Sequence, residues 1–105
     1  MKMIRAMIRP ECEEQVTEAL DAAGVAGFTK WDVLGRGRQK GIQVGSVVYP
    51  ELPKLSLMVV VEDEQVNKTV LAIQAGAHTG HPGDGRIFVT DVESSFTVRT
   101  GKMEK

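Results

Sequence analysis

The sequence predicts an α+β domain whose strands and helices follow in the order βαββαβ. Three observations support this prediction: two segments alternate apolar and polar residues, one run is nearly all apolar, and two segments repeat apolar residues at helical spacing. We expect residues 1–105 to form one domain. Two right-handed crossovers then give a four-stranded antiparallel sheet with both helices on one face, which is the ferredoxin-like arrangement.

The first half of the chain supplies one helix between two strands. Residues 2–9 alternate and predict a strand that Pro10 ends. Apolar residues recur at helical spacing through residues 11–23, and Gly24 is a natural stop for that helix. Residues 28–35 alternate again and predict the second strand.

The second half supplies two more strands and the second helix. Residues 55–61 are nearly all apolar, as in a central strand, and residues 64–77 have helical spacing. Residues 86–92 predict the fourth strand. A short extended strand at residues 95–99 precedes a polar tail, residues 101–105, that we expect to be mobile. Because two helices cover only one face of the sheet, we expect the other face to pack against further copies of the subunit.

Composition narrows the classes of function. The chain has 13 basic and 14 acidic residues and a net charge of -1, which argues against non-specific nucleic-acid binding. No apolar run is long enough to span a membrane and the N-terminus does not resemble a secretory signal, so we expect a cytoplasmic protein without membrane insertion. Cys12 is the only cysteine, and its glutamate neighbours disfavour a reactive thiolate.

A long polar loop, about residues 36–53, separates the second predicted strand from the third. Its first part carries four hydrogen-bond donors among three glycines, namely Arg36, Arg38, Gln39 and Lys40. A loop of this length in so small a domain is usually functional or disordered. Glycines between donors allow the backbone to approach an anion closely.

A second glycine-rich loop, residues 79–85, precedes the fourth strand. Either loop by itself could simply turn the chain. Both lie at the periphery of the predicted sheet, where an adjacent subunit could bring one copy of each into the same cleft. That cleft would contain Arg38, Gln39, Lys54, Arg86, Gly83 and Gly85, a set of donors that suits a nucleotide triphosphate. Asp84 is expected to cap its own turn.

Three other chemistries have weaker support in the sequence. His78 and His81 could be half of a metal site, but no second pair of ligands accompanies them. An RNA-binding module with this element order needs stacking aromatic residues on its central strands, and residues 55–61 contain none. A phosphoryl-transfer enzyme needs a metal-anchoring carboxylate and a base, for which only Asp84 is available.

Four successive segments resemble the signatures of the nitrogen-regulatory PII signalling proteins. They are Gly-Arg-Gly-Arg-Gln-Lys-Gly at 35–41, Leu-Pro-Lys at 52–54, Thr-Gly-His-Pro-Gly-Asp-Gly-Arg-Ile-Phe-Val at 79–89 and Arg-Thr-Gly at 99–101. Residues 1–10 also fit, so the resemblance covers essentially the whole chain. The short loop, with Thr97 before Arg99, is most similar to the PII-like proteins encoded among nitrogen-fixation genes of archaea and some anaerobic bacteria.

The resemblance implies a homotrimer that binds ATP or ADP between subunits and, with ATP and Mg²⁺, also 2-oxoglutarate. The residues Gly35, Gly37, Arg38 and Gln39 would begin the long loop, which this family calls the T-loop. Gln39 would contact Mg²⁺ and 2-oxoglutarate. Lys54 would pair with a carboxylate of 2-oxoglutarate.

The resemblance also assigns the phosphate-binding residues. Gly83, Gly85 and Arg86 would cradle the phosphates, with Asp84 in the same segment. Arg99 would reach the phosphates from the neighbouring subunit. Thr97 stands where many relatives have a second phosphate-binding arginine, which leaves the preference between ATP and ADP open.

The implied function is that of a regulator without enzymatic activity whose T-loop docks on a target protein. In the nitrogen-fixation subgroup the implied target is dinitrogenase, inhibited together with a second PII-like paralogue. The alternative is a regulator of an ammonium transporter or of glutamine synthetase. The T-loop is shorter than in enteric-type members, and Tyr49, the only tyrosine, does not clearly match their uridylylated position.

Overall fold

The computed structural model describes residues 1–36, 42–49 and 51–104. In chain order its elements are β1 (Lys2–Ile8), α1 (Glu13–Ala22), β2 (Thr29–Gly35), β3 (Ile42–Val44), β4 (Val47–Tyr49), β5 (Leu52–Val61), α2 (Val66–Ala77) and β6 (Gly85–Asp91). Short 3-10 turns, Pro10–Cys12 and Asp63–Gln65, lead into the two helices. The predicted ferredoxin-like α+β fold is confirmed. In the described residues, neither helix has the length and apolarity needed to cross a bilayer.

The main sheet has the strand order β2-β5-β1-β6, and all neighbouring strands are antiparallel. Strand β1 is central, and its last residue, Ile8, pairs with Leu55 on one side and with Gly85 on the other. At the β2 edge, Gly35 pairs with Leu52. The starts of β5 and β6 and the ends of β1 and β2 therefore lie at the same end of the sheet.

The core lies between the sheet and the two helices. Alternate residues of β1 and β5 face the helices and are buried against them: Ile4, Ala6, Ile8, Leu55, Leu57 and Val59, with Val16, Leu20 and Ile73 from the helices. The two helices approach closely at Gly76, where an added Cβ would lie 2.7 Å from the Cα of Val16. This glycine lets the helices share one face of a small sheet.

The face of the sheet away from the helices is incompletely covered. Trp31, Val60 and Phe88 on this face keep 39%, 42% and 48% of their surface exposed. The guanidinium of Arg5 lies over the Trp31 ring, 5.9 Å from its centre. Packing of this face against further subunits stays a prediction, and these exposed apolar side chains are the surface that such packing would use.

The long loop contains structure that we do not predict from the sequence. Strand β5 begins at Leu52 rather than at residue 55, so Lys54 belongs to a strand. Strands β3 and β4 pair with each other as a separate antiparallel hairpin. The sequence carries a signal for this hairpin, because two runs of mostly β-prone residues flank Gly45 and Ser46 in the pattern of a two-residue hairpin turn. The polar first part of the loop obscures that signal.

The C-terminal segment also differs from the prediction. The extended strand expected at residues 95–99 is reduced to a single bridge between Phe96 and Met103. Residues 101–104, part of the tail that we expect to be mobile, fold back on the preceding chain. The Glu104 amide donates to the Ser95 carbonyl at 2.8 Å, and Gly101 has φ of +70°, a left-handed conformation that a reversing turn requires.

Candidate functional site

At the end of β1, the base of the long loop meets the second glycine-rich loop within one chain. The Lys54 ammonium donates a hydrogen bond to the Gly83 carbonyl at 2.8 Å. Gly35 packs against the same lysine, since an added Cβ would lie 3.3 Å from the Lys54 Cγ. The base of the long loop and the second loop meet inside one chain because β5 and β6 both pair with β1. The convergence of loops from adjacent subunits, which we expect from the sequence, stays a prediction.

Asp84 and Arg9 organise the second loop. The Asp84 carboxylate accepts the backbone N–H groups of Thr79 at 2.8 Å and Gly80 at 2.9 Å, as well as the Thr79 hydroxyl and the Arg9 guanidinium. Arg9 also donates to the Pro82 carbonyl at 2.7 Å. Asp84 therefore caps the turn, as the sequence predicts. We call Arg9, Lys54, Thr79, Gly83 and Asp84 the anchor cluster.

The anchor cluster contains two cations, Arg9 and Lys54, and one carboxylate, Asp84. Hydrogen bonds from the hydroxyl and the backbone N–H of Thr79 are the main cause that holds the pKa of Asp84 well below its usual range. Asp84 is therefore ionised at neutral pH and offsets the charge of Arg9. Among the described residues, no carboxylate pairs with Lys54.

Two glycines determine the path of the second loop. Gly85 has φ of +116°, and an added Cβ would lie 1.8 Å from the Met7 carbonyl oxygen. Gly83 has φ of +97°, and an added Cβ would lie 3.1 Å from a terminal nitrogen of Arg9. Both conformations are unfavourable for residues with a side chain. The loop can therefore pass this close to Met7 and Arg9 because glycine occupies both positions.

The sheet face away from the helices is suited to an anion. Its cations along the four main strands, all of whose residues the structure describes, are Arg5, Lys54 and Arg86, and strand alternation places no acidic residue there. Arg86 is exposed and follows Gly85 directly. Local positive charge therefore adjoins the glycine loop, although the whole chain is nearly neutral.

Of the remaining predicted ligand residues, the structure describes Arg99 alone. Arg99 is exposed in the C-terminal turn. The predicted contacts of Gly37, Arg38 and Gln39, including the Mg²⁺ contact of Gln39, lie outside the described residues. In the described part of the chain, no group of three or more His, Cys, Asp or Glu side chains could hold a metal ion.

A groove of about 750 Å³ also lies between α2 and β6. Its walls are mostly apolar, and it reaches Asp84 and Arg86 at one end but includes neither Lys54 nor Gly83. Its mostly apolar lining does not match a phosphate site.

Comparison of the whole sequence with known families decides what kind of protein carries this site. The sequence model of the family described as nitrogen regulatory protein P-II matches residues 1–102. The chain belongs to the PII family.

The relatives of this PII protein refine the family assignment. It is 51% identical over 100 residues to nitrogen fixation nifHD region GlnB-like protein 1 of Methanothermobacter marburgensis, covering 95% of each chain. It is 51% identical over 102 residues to nitrogen fixation nifHD1 region GlnB-like protein 1 of Methanosarcina barkeri, covering 97% of each. It is 44% identical over 106 residues to nitrogen regulatory protein P-II of Azospirillum brasilense, covering 97% of this chain and 95% of the relative. The predicted similarity to PII-like proteins of nitrogen-fixation regions is confirmed.

Arg9 and Thr79 are members of the anchor cluster that we do not identify from the sequence. Thr79 begins the family segment at residues 79–89, and Arg9 lies near the end of the segment at residues 1–10. The signal that would have identified Arg9 in this PII protein is strand pairing. Because Ile8 pairs with Gly85, the residue after Ile8 lies beside Asp84.

Replacing Asp84 by asparagine should loosen the second loop of this PII protein in a pH-dependent manner. The native carboxylate has a lowered pKa, so its contribution to stability is complete at neutral pH. That contribution falls as the pH drops below about 4, where the unfolded-state carboxyl begins to bind a proton, and is lost as the pH passes through the lower folded-state pKa. Urea unfolding of both proteins from pH 7 to pH 3 should show a stability difference that is constant near neutrality and shrinks below about pH 4. A difference that grows on acidification would contradict this assignment.

Proposed function

We propose that this PII protein is a non-enzymatic sensor that binds ATP or ADP and, with ATP and Mg²⁺, 2-oxoglutarate. We further propose that it regulates nitrogen fixation through contact of its T-loop with dinitrogenase. The observation that carries the proposal is the 2.8 Å hydrogen bond from Lys54 to the Gly83 carbonyl. It joins the base of the T-loop to the second glycine loop. A ligand that attracts the Lys54 ammonium would therefore act on both segments at once.

The phosphate groups would lie beside the second glycine loop. Gly83 and Gly85 allow close approach of the backbone, and Arg86 and Lys54 supply positive charge on a face that carries no acidic residue along the main strands. Asp84 serves this site by fixing the loop, because its carboxylate is occupied by Thr79, Gly80 and Arg9. Arg99 of a neighbouring subunit would complete the site in a homotrimer.

The two ligands would bind cooperatively. When bound, Mg²⁺ held by the phosphates supplies a centre that the keto and carboxylate oxygens of 2-oxoglutarate can chelate, with Gln39 as a protein contact. Lys54 would pair with the other carboxylate, because its ammonium has no acidic partner among the described residues. The second ligand then depends on the first, and their coupling is positive and reciprocal.

The assignment of a target rests on the relatives. The names of the Methanothermobacter and Methanosarcina proteins refer to a nitrogen-fixation gene region, which favours dinitrogenase as the target, together with a PII-like paralogue. The Azospirillum relative carries the general name nitrogen regulatory protein P-II. That name favours, as the second candidate, control of an ammonium transporter or of glutamine synthetase.

Titration calorimetry with 2-oxoglutarate tests whether its binding depends on ATP and Mg²⁺. We expect binding in the presence of ATP and Mg²⁺ and none in the absence of either. By reciprocity, 2-oxoglutarate should tighten ATP binding by the same factor by which ATP tightens 2-oxoglutarate binding. Undiminished 2-oxoglutarate binding without ATP and Mg²⁺ would contradict the chelation mechanism.

Replacing Lys54 by alanine should weaken the binding of 2-oxoglutarate much more than the binding of ATP. A hydrogen bond to a charged group contributes about 1.5–3 kcal/mol, so 2-oxoglutarate binding should weaken by roughly 10- to 100-fold while most ATP affinity remains. Lys54→Gln is the matched control, because glutamine can still donate to the Gly83 carbonyl but carries no charge. The charge assignment predicts that calorimetry finds 2-oxoglutarate binding weakened in both variants. Equal loss of ATP and 2-oxoglutarate, or recovery of 2-oxoglutarate binding in the glutamine variant, would assign Lys54 to loop positioning instead.

A further inference from the structure

We infer that one face of the hairpin formed by β3 and β4 is the surface through which the T-loop contacts its target, and that the target presents an uncharged apolar strip. This inference rests on the proposed function and adds the residues and the chemistry of the contact. We call Ile42, Val44, Val47 and Tyr49 the hairpin face.

Strand pairing defines the hairpin face. Ile42 pairs with Tyr49 and Val44 pairs with Val47, so these four side chains lie on the same side of the hairpin. The pair between them, Gln43 and Val48, lies on the opposite side. The Gln43 amide donates to the Gly45 carbonyl at 3.0 Å, and Gly45 has φ of +62°, which together fix the turn and the register.

The hairpin face does not contribute to the core. Strands β3 and β4 form their own sheet, and none of their residues belongs to the core cluster or packs against it. Ile42, Val44, Val47 and Tyr49 are 44%, 62%, 50% and 46% exposed. A two-stranded hairpin is at best marginally stable by itself in water. A contiguous apolar face on such an element is typical of a contact surface.

The absence of charged side chains on the hairpin favours a protein surface as its partner. Residues 42–49 contain no charged side chain, so the hairpin face offers no cation to the phosphates of a nucleic acid. Elements that lie on membrane surfaces carry Lys or Arg on their polar side, whereas the opposite side of this hairpin carries Gln43 and Val48. An uncharged apolar strip on another protein is the complementary surface.

The area of the hairpin face argues against a second copy of this chain. Four side chains that are about half exposed offer on the order of 300 Å², whereas a stable interface buries roughly 800 Å² on each partner. A larger partner can surround this apolar centre with polar contacts to Arg36 and Glu51, which are exposed on the two sides of the loop. Tyrosine near the centre of such a contact is frequently a residue that dominates affinity.

The test compares two adjacent valines whose side chains lie on opposite sides of the hairpin. Val47→Ser removes apolar surface from the hairpin face, and Val48→Ser makes the same change on the other side as a matched control. The probe is purified dinitrogenase, with binding measured by calorimetry and inhibition measured as loss of its activity. We expect Val47→Ser to weaken binding by about tenfold and Val48→Ser by less than about twofold, because only the first loses buried apolar area. Both variants should bind ATP and 2-oxoglutarate like the parent protein.

The remaining outcomes are distinct. If the parent protein binds dinitrogenase and both valine variants bind equally well or equally poorly, the inference is wrong and the proposed function stands. If the parent protein binds its small ligands but neither binds nor inhibits dinitrogenase, the proposed target fails and the inference fails with it. Two further results would overturn the inference. If Val47→Ser abolishes self-association in sedimentation, the hairpin face binds a second copy of this chain; if it abolishes flotation with anionic lipid vesicles, the face binds a membrane.

Discussion

Replacing Gly85 by alanine should destabilise the protein by more than about 3 kcal/mol and abolish the proposed nucleotide binding. Gly85 has φ of +116°, and the added Cβ would lie 1.8 Å from the Met7 carbonyl oxygen and 2.9 Å from the carbonyl carbon. The obstructing atoms belong to the backbone of the central strand, so they cannot move aside as the end of a side chain can. The start of β6 must leave its pairing with Ile8, which removes the second glycine loop from Arg9 and Lys54.

Urea unfolding and ATP calorimetry measure this effect, and two other glycines provide controls. A Cβ added at Gly27 would have no atom within 4 Å, so Gly27→Ala should change stability by less than about 1 kcal/mol. Gly83→Ala meets a flexible Arg9 nitrogen at 3.1 Å at φ of +97°, so an intermediate loss of about 1–2 kcal/mol is expected. A Gly85→Ala protein as stable as its parent would show that β1 and β6 do not pair in this register.

Replacing Gly76 by alanine should destabilise the fold by about 2 kcal/mol while leaving ligand binding intact in the folded protein. Alanine favours a helix over glycine by about 1 kcal/mol, so propensity by itself predicts stabilisation. Packing reverses the sign of the expected stability change, because the added Cβ would lie 2.7 Å from both the N and the Cα of Val16. The two helices must separate, and the buried side chains of Val16 and Ile73 between them and the sheet lose contact.

The shift of the urea midpoint measures the balance between packing and propensity. Ala75→Gly is the control, because residue 75 is exposed on the same helix and should show only the propensity cost of about 1 kcal/mol. ATP affinity should be unchanged in Gly76→Ala, since the helices cover the face of the sheet opposite Lys54 and Arg86. A Gly76→Ala protein more stable than its parent would contradict the close approach of the helices.

Much of the fold follows from local patterns in the sequence. Alternation in residues 2–9 places Ile4, Ala6 and Ile8 together on one face of the strand, and the structure buries that face. Breakers such as Pro10 and Gly24 mark the limits of the first helix closely, although short 3-10 turns shorten both helices at their N-termini. These features are local, because they depend on backbone preferences and on the spacing of apolar side chains.

The candidate site is predictable only in part. The glycine loops and Lys54 stand out by composition, and the turn-capping role of Asp84 follows from its position between two glycines. The involvement of Arg9 cannot be predicted from local sequence, because Arg9 and Asp84 are 75 residues apart and meet only through the pairing of β1 with β6. The hairpin within the long loop is missed for a different reason, since its short β-branched runs carry a weaker signal than the polar residues around them.

The chain's own residue order was sufficient to predict the four main strands and the two helices and to single out the two glycine-rich segments, because each is encoded by residues near one another in the chain. Only the tertiary structure decided that the T-loop base and the second glycine loop meet within one subunit through Lys54 and Gly83. It also decided that a side chain at Gly76 or Gly85 would collide with the backbone of Val16 or Met7, which belong to distant elements. Such contacts depend on how strands and helices are placed against one another in space, which local sequence patterns do not encode.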